Sequence, residues 1–217
     1  MLEVIALDAV DAEAAQAGGA HRLELVADMA SDGLTPSVGT LREVLAATDL
    51  PVRVMLRDAA GFAPGDLDGL RRAAGRLREA GASEFVLGFL DAGARVDEEV
   101  CRAVVAALDG AAWTFHRALD NSVDPEASWD VVAALGCDTV LAAGSARGVA
   151  DGIGVLERLA KRDDGPALLV GGGLKQEHVG LLKAAGVTGF HVGSAVRPGG
   201  WDAPVSADAV RTWANLV

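Results

Sequence analysis

Residues Trp113 to Asp120 read W-T-F-H-R-A-L-D, an apolar strand pattern that ends in polar side chains. His116 brings an imidazole, Arg117 a guanidinium and Asp120 a carboxylate. Parallel α/β folds place their chemistry where the C-terminal end of a strand meets the next loop. The segment therefore predicts a buried parallel strand with a functional rim. A merely solvated strand end is the plainer reading. Three such groups crowding one strand end favour a site.

Outward from this stretch, short apolar or β-branched runs alternate with longer Ala/Leu-rich amphipathic ones. The expected strands are Leu2–Leu7, Arg22–Ala27, Val52–Arg57, Glu84–Gly88, Ala112–Arg117, Thr139–Ala143, Ala167–Gly171 and Gly189–Val192. Helical patterns fall near Ala9–Ala17, Val38–Thr48, Leu67–Ala80, Glu98–Leu108, Pro125–Leu135, Val149–Ala160, Gln176–Ala185 and Ala207–Leu216. Pro125 suits a first helical turn, and Gly81, Gly136 and Gly186 each close a helix just before a strand. Eight β-α units without a linker predict one α/β domain over residues 1–217, a (β/α)8 TIM barrel. A doubly wound open sheet is the rival. It usually has five or six strands, and the first strand here runs into Leu7-Asp8-Ala9 rather than a G-x-G-x-x-G turn.

Composition narrows the function classes. A 51% hydrophobic content over 217 residues supports a sizeable core. No apolar run reaches the ~18 residues of a membrane span, and no basic, apolar leader marks the N-terminus for export. A cytoplasmic protein is expected. The net charge of −12, scattered arginines and the absence of Tyr argue against nucleic acid as a partner. Arg71, Arg72, Arg76 and Arg78 read as the wet face of one helix. Cys101 and Cys137 form no disulfide framework and no metal-ligand spacing, so they read as buried, inert thiols.

Strand parity sorts the charged residues. Leu23 and Leu25 should pack on helices, which sends Arg22 and Glu24 into the barrel lumen. Glu3 lies opposite in face to Leu2 and Val4, Met55 shares a face with Arg57, and Thr114 shares one with His116. Buried charges must be paired. Glu3 and Arg22, early in their strands, are expected to form a salt-bridge plug. Glu24, Arg57 and His116 come late, at the rim. His21 and His178 read as structural and surface residues, and His191 as a hydrogen-bonded core histidine.

The last strands end in glycine: Gly144-Ser145, Gly171-Gly172-Gly173 and Gly193-Ser194. In many barrels the loops after strands seven and eight bind phosphate through bare backbone N–H groups. Gly172, Gly173, Gly193 and Ser194 are thus the candidate anion-binding residues. Tight turns alone are the competing explanation.

The ordered series L-E-V (Leu2–Val4), R-L-E-L (Arg22–Leu25), D-G-L-T-P-S (Asp32–Ser37), M-L-R (Met55–Arg57), G-F-L-D-A-G (Gly88–Gly93), T-F-H-R-A-L-D (Thr114–Asp120), G-G-G (Gly171–Gly173) and F-H-V-G-S-A (Phe190–Ala195) resembles the CutC copper-homeostasis family over nearly the whole chain. The resemblance implies a cytosolic barrel, often a homo-oligomer, linked by its family name to copper. It carries Glu24, Arg57, His116, Arg117 and Asp120 over as the catalytic or binding constellation. The chain departs from the family in three places. Ile5-Ala6 and Val26 stand where relatives often carry cysteines, and Arg57-Asp58-Ala59-Ala60 replaces a run with a second arginine. No thiolate ligand set for copper is retained, and which metal, if any, is used stays open.

Two functions follow. In one, the chain is a copper-homeostasis protein. In the other it is an enzyme of lyase, isomerase or aldolase type, acting on a small phosphorylated or carboxylated metabolite without a role in copper binding. There Arg57 and the glycine loops would hold the anion, and His116, oriented by Asp120 or Glu24, would move a proton. In either case the expected partner is a small, anionic molecule.

Overall fold

Eight strands pair in chain order, all parallel, and the eighth returns to the first to close a barrel. The structure, a computed structural model, describes residues Met1–Val217. The strands are β1 Leu2–Ala6, β2 Arg22–Leu25, β3 Val52–Met55, β4 Glu84–Leu87, β5 Ala112–Phe115, β6 Thr139–Ala142, β7 Ala167–Val170 and β8 Gly189–Val192. The helices are α1 Ala9–Gly18, α2 Val38–Ala47, α3 Leu67–Glu79, α4 Glu98–Val105, α5 Pro125–Ala134, α6 Val149–Leu159, α7 Gln176–Ala184 and α8 Ala207–Leu216. The chain is a single (β/α)8 TIM barrel, as the alternating pattern predicts. No helix is long and apolar enough to cross a membrane.

Local chemistry sets the boundaries. Asp8, Ser37, Asp66, Asp97, Asp124 and Ser206 each accept a hydrogen bond from a first-turn N–H of the helix that follows. Each such cap supplies about 1 kcal/mol. Seven strands stop one or two residues before their expected C-terminal limits, and past β3 and β6 the backbone bonds to side chains instead of the ladder. Arg57 donates its N–H to Thr35 Oγ1 (2.8 Å), and Ala143 and Gly144 donate theirs to Asp120. His116 and Arg117 stand just past β5, on the rim itself.

Helix-facing strand residues and the inner helix faces form one core of 49 buried residues. The lumen is layered differently. At its base Glu3 pairs with Arg22, the expected plug. Beside them Arg53 bonds Glu84 (2.8 Å), Asp138 (2.7 Å) and the Thr114 hydroxyl. Arg53 shares the face of Met55 and Arg57, so parity places it inward too, although it is absent from the expected set. Above this polar floor sits a small separate cluster of Ile5, Val26, Met55 and Val86.

Candidate functional site

A cavity of about 430 Å³ opens above this cluster, at the C-terminal ends of the strands. It is lined by Glu24, Arg57, His116, Arg117, Gly172, Gly173, Gly193 and Ser194, the residues that strand-end position singles out. Asp120 is the exception and does not line it.

Arg57 is held by backbone carbonyls. Its Nε and Nη2 donate to Gly61 O (3.1 and 2.8 Å) and its Nη1 to Asp32 O (2.9 Å). Asp32 has φ +58°, a left-handed conformation rare outside glycine, and it sits in the tight loop that presents this carbonyl. The guanidinium also lies over the Phe62 ring, 5.3 Å from its centroid. No carboxylate comes within salt-bridge distance, against the expectation that every lumen charge finds a counter-charge. Burial lowers the Arg57 pKa accordingly. Glu24 and the base carboxylates face His191, Arg22 and Arg53, and the Asp32 carboxylate attracts Arg57 only from beyond ion-pair distance.

His116 is fully buried, edge-on to Phe62 with ring centroids 5.8 Å apart. Its Nδ1 accepts the Ala118 N–H (3.2 Å). A neutral imidazole that accepts at Nδ1 carries its proton on Nε2, and Nε2 has no protein partner. Burial, helped by the positive charge of Arg57, pushes the pKa down to about 3. His116 is thus a neutral hydrogen-bond donor at the cavity wall. Neither Asp120 nor Glu24 orients it, contrary to the sequence-based expectation; a backbone N–H does.

Asp120 lies in a 3-10 turn, Leu119–Asn121, and turns away from the cavity. Its carboxylate accepts from Ala143 N (2.9 Å) and Gly144 N (2.8 Å), the strand-end donors of β6, and from Arg117 Nε (2.9 Å). Burial pushes its pKa up despite these donors. Asp120 therefore positions Arg117 and stitches β5 to β6. Arg117 also donates to Ser145 O (3.3 Å), and its guanidinium lies against Gly172.

The backbone N–H groups of Gly172, Gly173, Gly193 and Ser194 donate to no other protein atom. Gly172 and Gly173 have φ of +90° and +72°, which glycine adopts without strain. Gly171 has a separate task. A Cβ there would come 2.8 Å from His191 Cδ2.

His191 is the main residue that sequence reasoning undervalued. It is buried and hydrogen-bonded, as expected, but it also lines the cavity. Its Nδ1 lies 2.8 Å from Glu3 Oε1, and its Nε2 lies 3.6 Å from Glu24 Oε2. Burial raises the Glu3 pKa, but the His191 hydrogen bond and the Arg22 charge outweigh it and hold Glu3 down to about 2. Burial raises Glu24 to about 7, His191 only partly opposing it. Burial would lower His191, yet the facing carboxylates of Glu24 and Glu3 raise it. The signal in sequence was β-strand parity between Glu3 and His191, which the barrel closes into direct register.

Asp32 and Asn121 also line the cavity, and Ile5, Met29, Met55 and Trp201 give it an apolar side. Trp201 comes from the loop before α8 and packs on the small lumen cluster. Arg197, whose guanidinium lies 5.3 Å from the Trp201 ring, is tied to buried Asp11. Asp11 also accepts from Leu7 N and Val205 N, both at 2.9 Å, so one carboxylate fixes both ends of this wall. A lone Trp in the glycine-rich run P-G-G-W was the available sequence signal.

Residues 1–196 match the model of the CutC family. The chain belongs to the CutC family. A CutC family protein from Xanthomonas axonopodis pv. citri (strain 306) is 35% identical over 195 residues, 88% of this chain and 81% of the relative. One from Enterobacter sp. (strain 638) is 32% identical over 194 residues, 88% of this chain and 78% of the relative. The crystal structure of CutC from Streptococcus agalactiae superposes with a TM-score of 0.81 at 27% identity, covering 89% of this chain and 97% of that one. The matched span includes every strand of this CutC barrel and every cavity residue except Trp201.

The donors around the cavity are a poor match for copper. Cu(I) prefers thiolate and thioether ligands. Cys101 and Cys137 lie outside the cavity, their thiols pushed up to about 12 by burial. The His116 Nε2 carries a proton and has no lone pair to give. The thioethers of Met29 and Met55 remain, with no group of three His, Cys, Asp or Glu side chains placed to hold a metal ion.

Proposed function

We propose that this CutC-family barrel binds a small anionic molecule, phosphorylated or carboxylated, in the rim cavity. The observation that carries this reading is Arg57, a buried guanidinium at the cavity wall with no carboxylate partner. A buried cation without a counter-ion is costly, and an incoming anion would relieve that cost. The unbonded N–H groups of the β7 and β8 loops and the His116 Nε2–H add donors of the right polarity. Arg117 adds a second cation, already oriented by Asp120. The apolar side formed by Ile5, Met29, Met55 and Trp201 favours a ligand whose body is not wholly polar.

The test is a thermal-shift titration with inorganic phosphate and with oxalate, for the natural chain and Arg57→Ala. Saturating ligand at about 100 times its dissociation constant should stabilise the fold by roughly 2.7 kcal/mol. Arg57→Ala should lose that response. Equal response in both chains, or none in either, would overturn the reading.

A further inference from the structure

The two titratable groups on facing sides of the cavity are specialised in opposite directions. Glu24 ends β2, and His116 follows β5, three strands away around the barrel. The Glu24 carboxylate accepts no hydrogen bond within the protein, and the charged group within ion-pair distance of it is His191 Nε2 at 3.6 Å. Behind His191 stands Glu3, and behind Glu3 stands Arg22. This column of alternating charge runs from the polar floor to the cavity. It gives Glu24 a proton-bearing neighbour whose ring orientation Glu3 fixes. On the far side stands His116, a buried, neutral ring whose Nε2–H has no protein partner.

Such a pair is what carbanion chemistry next to a carbonyl requires. A base removes the proton, and a fixed neutral donor stabilises the oxygen that becomes negative. We infer that the cavity catalyses enolisation of a small carbonyl compound bearing a carboxylate or phosphate, with Glu24 as the base and His116 as the donor to the enolate oxygen. The inference rests on the anion reading, which places the ligand's charged end on Arg57. In the step, the Glu24 carboxylate takes a proton from the carbon beside the carbonyl. The C–H electron pair forms the C=C bond, and the C=O π pair moves onto oxygen, which accepts the His116 Nε2–H hydrogen bond. Return of the proton from Glu24, to the same or the adjacent carbon, completes exchange or isomerisation with no further reactant.

The electrostatics agree with this division. Glu24 is raised into the neutral range, chiefly by burial, whereas His116 is pushed far below it, so one group can exchange a proton near pH 7 while the other stays neutral. The charged groups that face Glu24 are His191 from β8, Glu3 from β1 and Arg22 on its own strand. Arg57, Arg117 and Asp32 lie around the same cavity. His191 is a positioning residue here, acting through Glu24.

Proton NMR in D2O, with pyruvate, 2-oxobutyrate and dihydroxyacetone phosphate as probes, tests the inference, and oxalate binding provides the control. Loss of the C–H signal beside the carbonyl should be at least 100-fold faster with the natural chain than in buffer. Its rate should rise with pH through about 7. Glu24→Gln should abolish the exchange while still melting cooperatively, and His191→Gln should move the pH profile. Oxalate binding without exchange of any probe would overturn the enolisation reading alone. Exchange that survives in Glu24→Gln would overturn the role of Glu24. Failure to bind oxalate and phosphate would remove the anion reading first.

Discussion

A Cβ on Gly172 would lie 2.5 Å from Arg117 Nε, so the Arg117 guanidinium keeps its place beside the β7 loop because residue 172 has no side chain. The same residue sits at φ +90° and passes its carbonyl to Val149 N (3.0 Å), the first residue of α6. One glycine thus joins three β-α units around the cavity. Gly172→Ala should cost about 1–2 kcal/mol from the left-handed backbone alone. It should also displace Arg117 from Asp120 and weaken phosphate binding. Urea melts and a phosphate titration check both, and an unchanged pair of results would remove Gly172 from this role.

The depressed pKa of His116 gives stability a sign with pH. The imidazole is favoured neutral in the fold, so its contribution is full above the ordinary value of 6.5 and is lost as pH falls through about 3. The loss accrues at up to about 1.4 kcal/mol per pH unit within that window. His116→Gln keeps an N–H donor but cannot titrate. It should be less stable than the natural chain at pH 7, because it loses the ring packing on Phe62, and the gap should narrow steadily towards pH 4. Paired denaturant melts at pH 7, 5.5 and 4 measure it. A constant gap would mean that His116 does not resist protonation.

Copper is the second chemistry that a donor inventory can test. With both thiols buried outside the cavity and the His116 lone pair spent on Ala118 N–H, an anaerobic Cu(I) titration against a chromophoric chelator should show no competition from the protein. Tight one-to-one binding would contradict this and direct attention to the thioethers of Met29 and Met55.

The sequence by itself determined the barrel. Eight alternating units, helix-ending glycines and acidic or hydroxyl caps are local signals, read from each segment's own periodicity. Strand parity likewise sent Glu3, Arg22, Glu24 and His116 to the lumen, because which way a side chain points follows from counting along one strand.

Only the tertiary structure decided which of these groups meet. Asp120 lies four residues from His116, yet it serves Ala143, Gly144 and Arg117, because a 3-10 turn carries it to the free N–H groups at the end of β6. His191 is 188 residues from Glu3 in sequence and its hydrogen-bonded neighbour in space, because β8 closes onto β1. Arg57 has no ion-pair partner because the fold presents the Asp32 carbonyl to it, with the Asp32 carboxylate beyond ion-pair distance. Composition cannot reveal such allocation, since pairing depends on barrel closure and on the register that sets each side chain's height in the lumen.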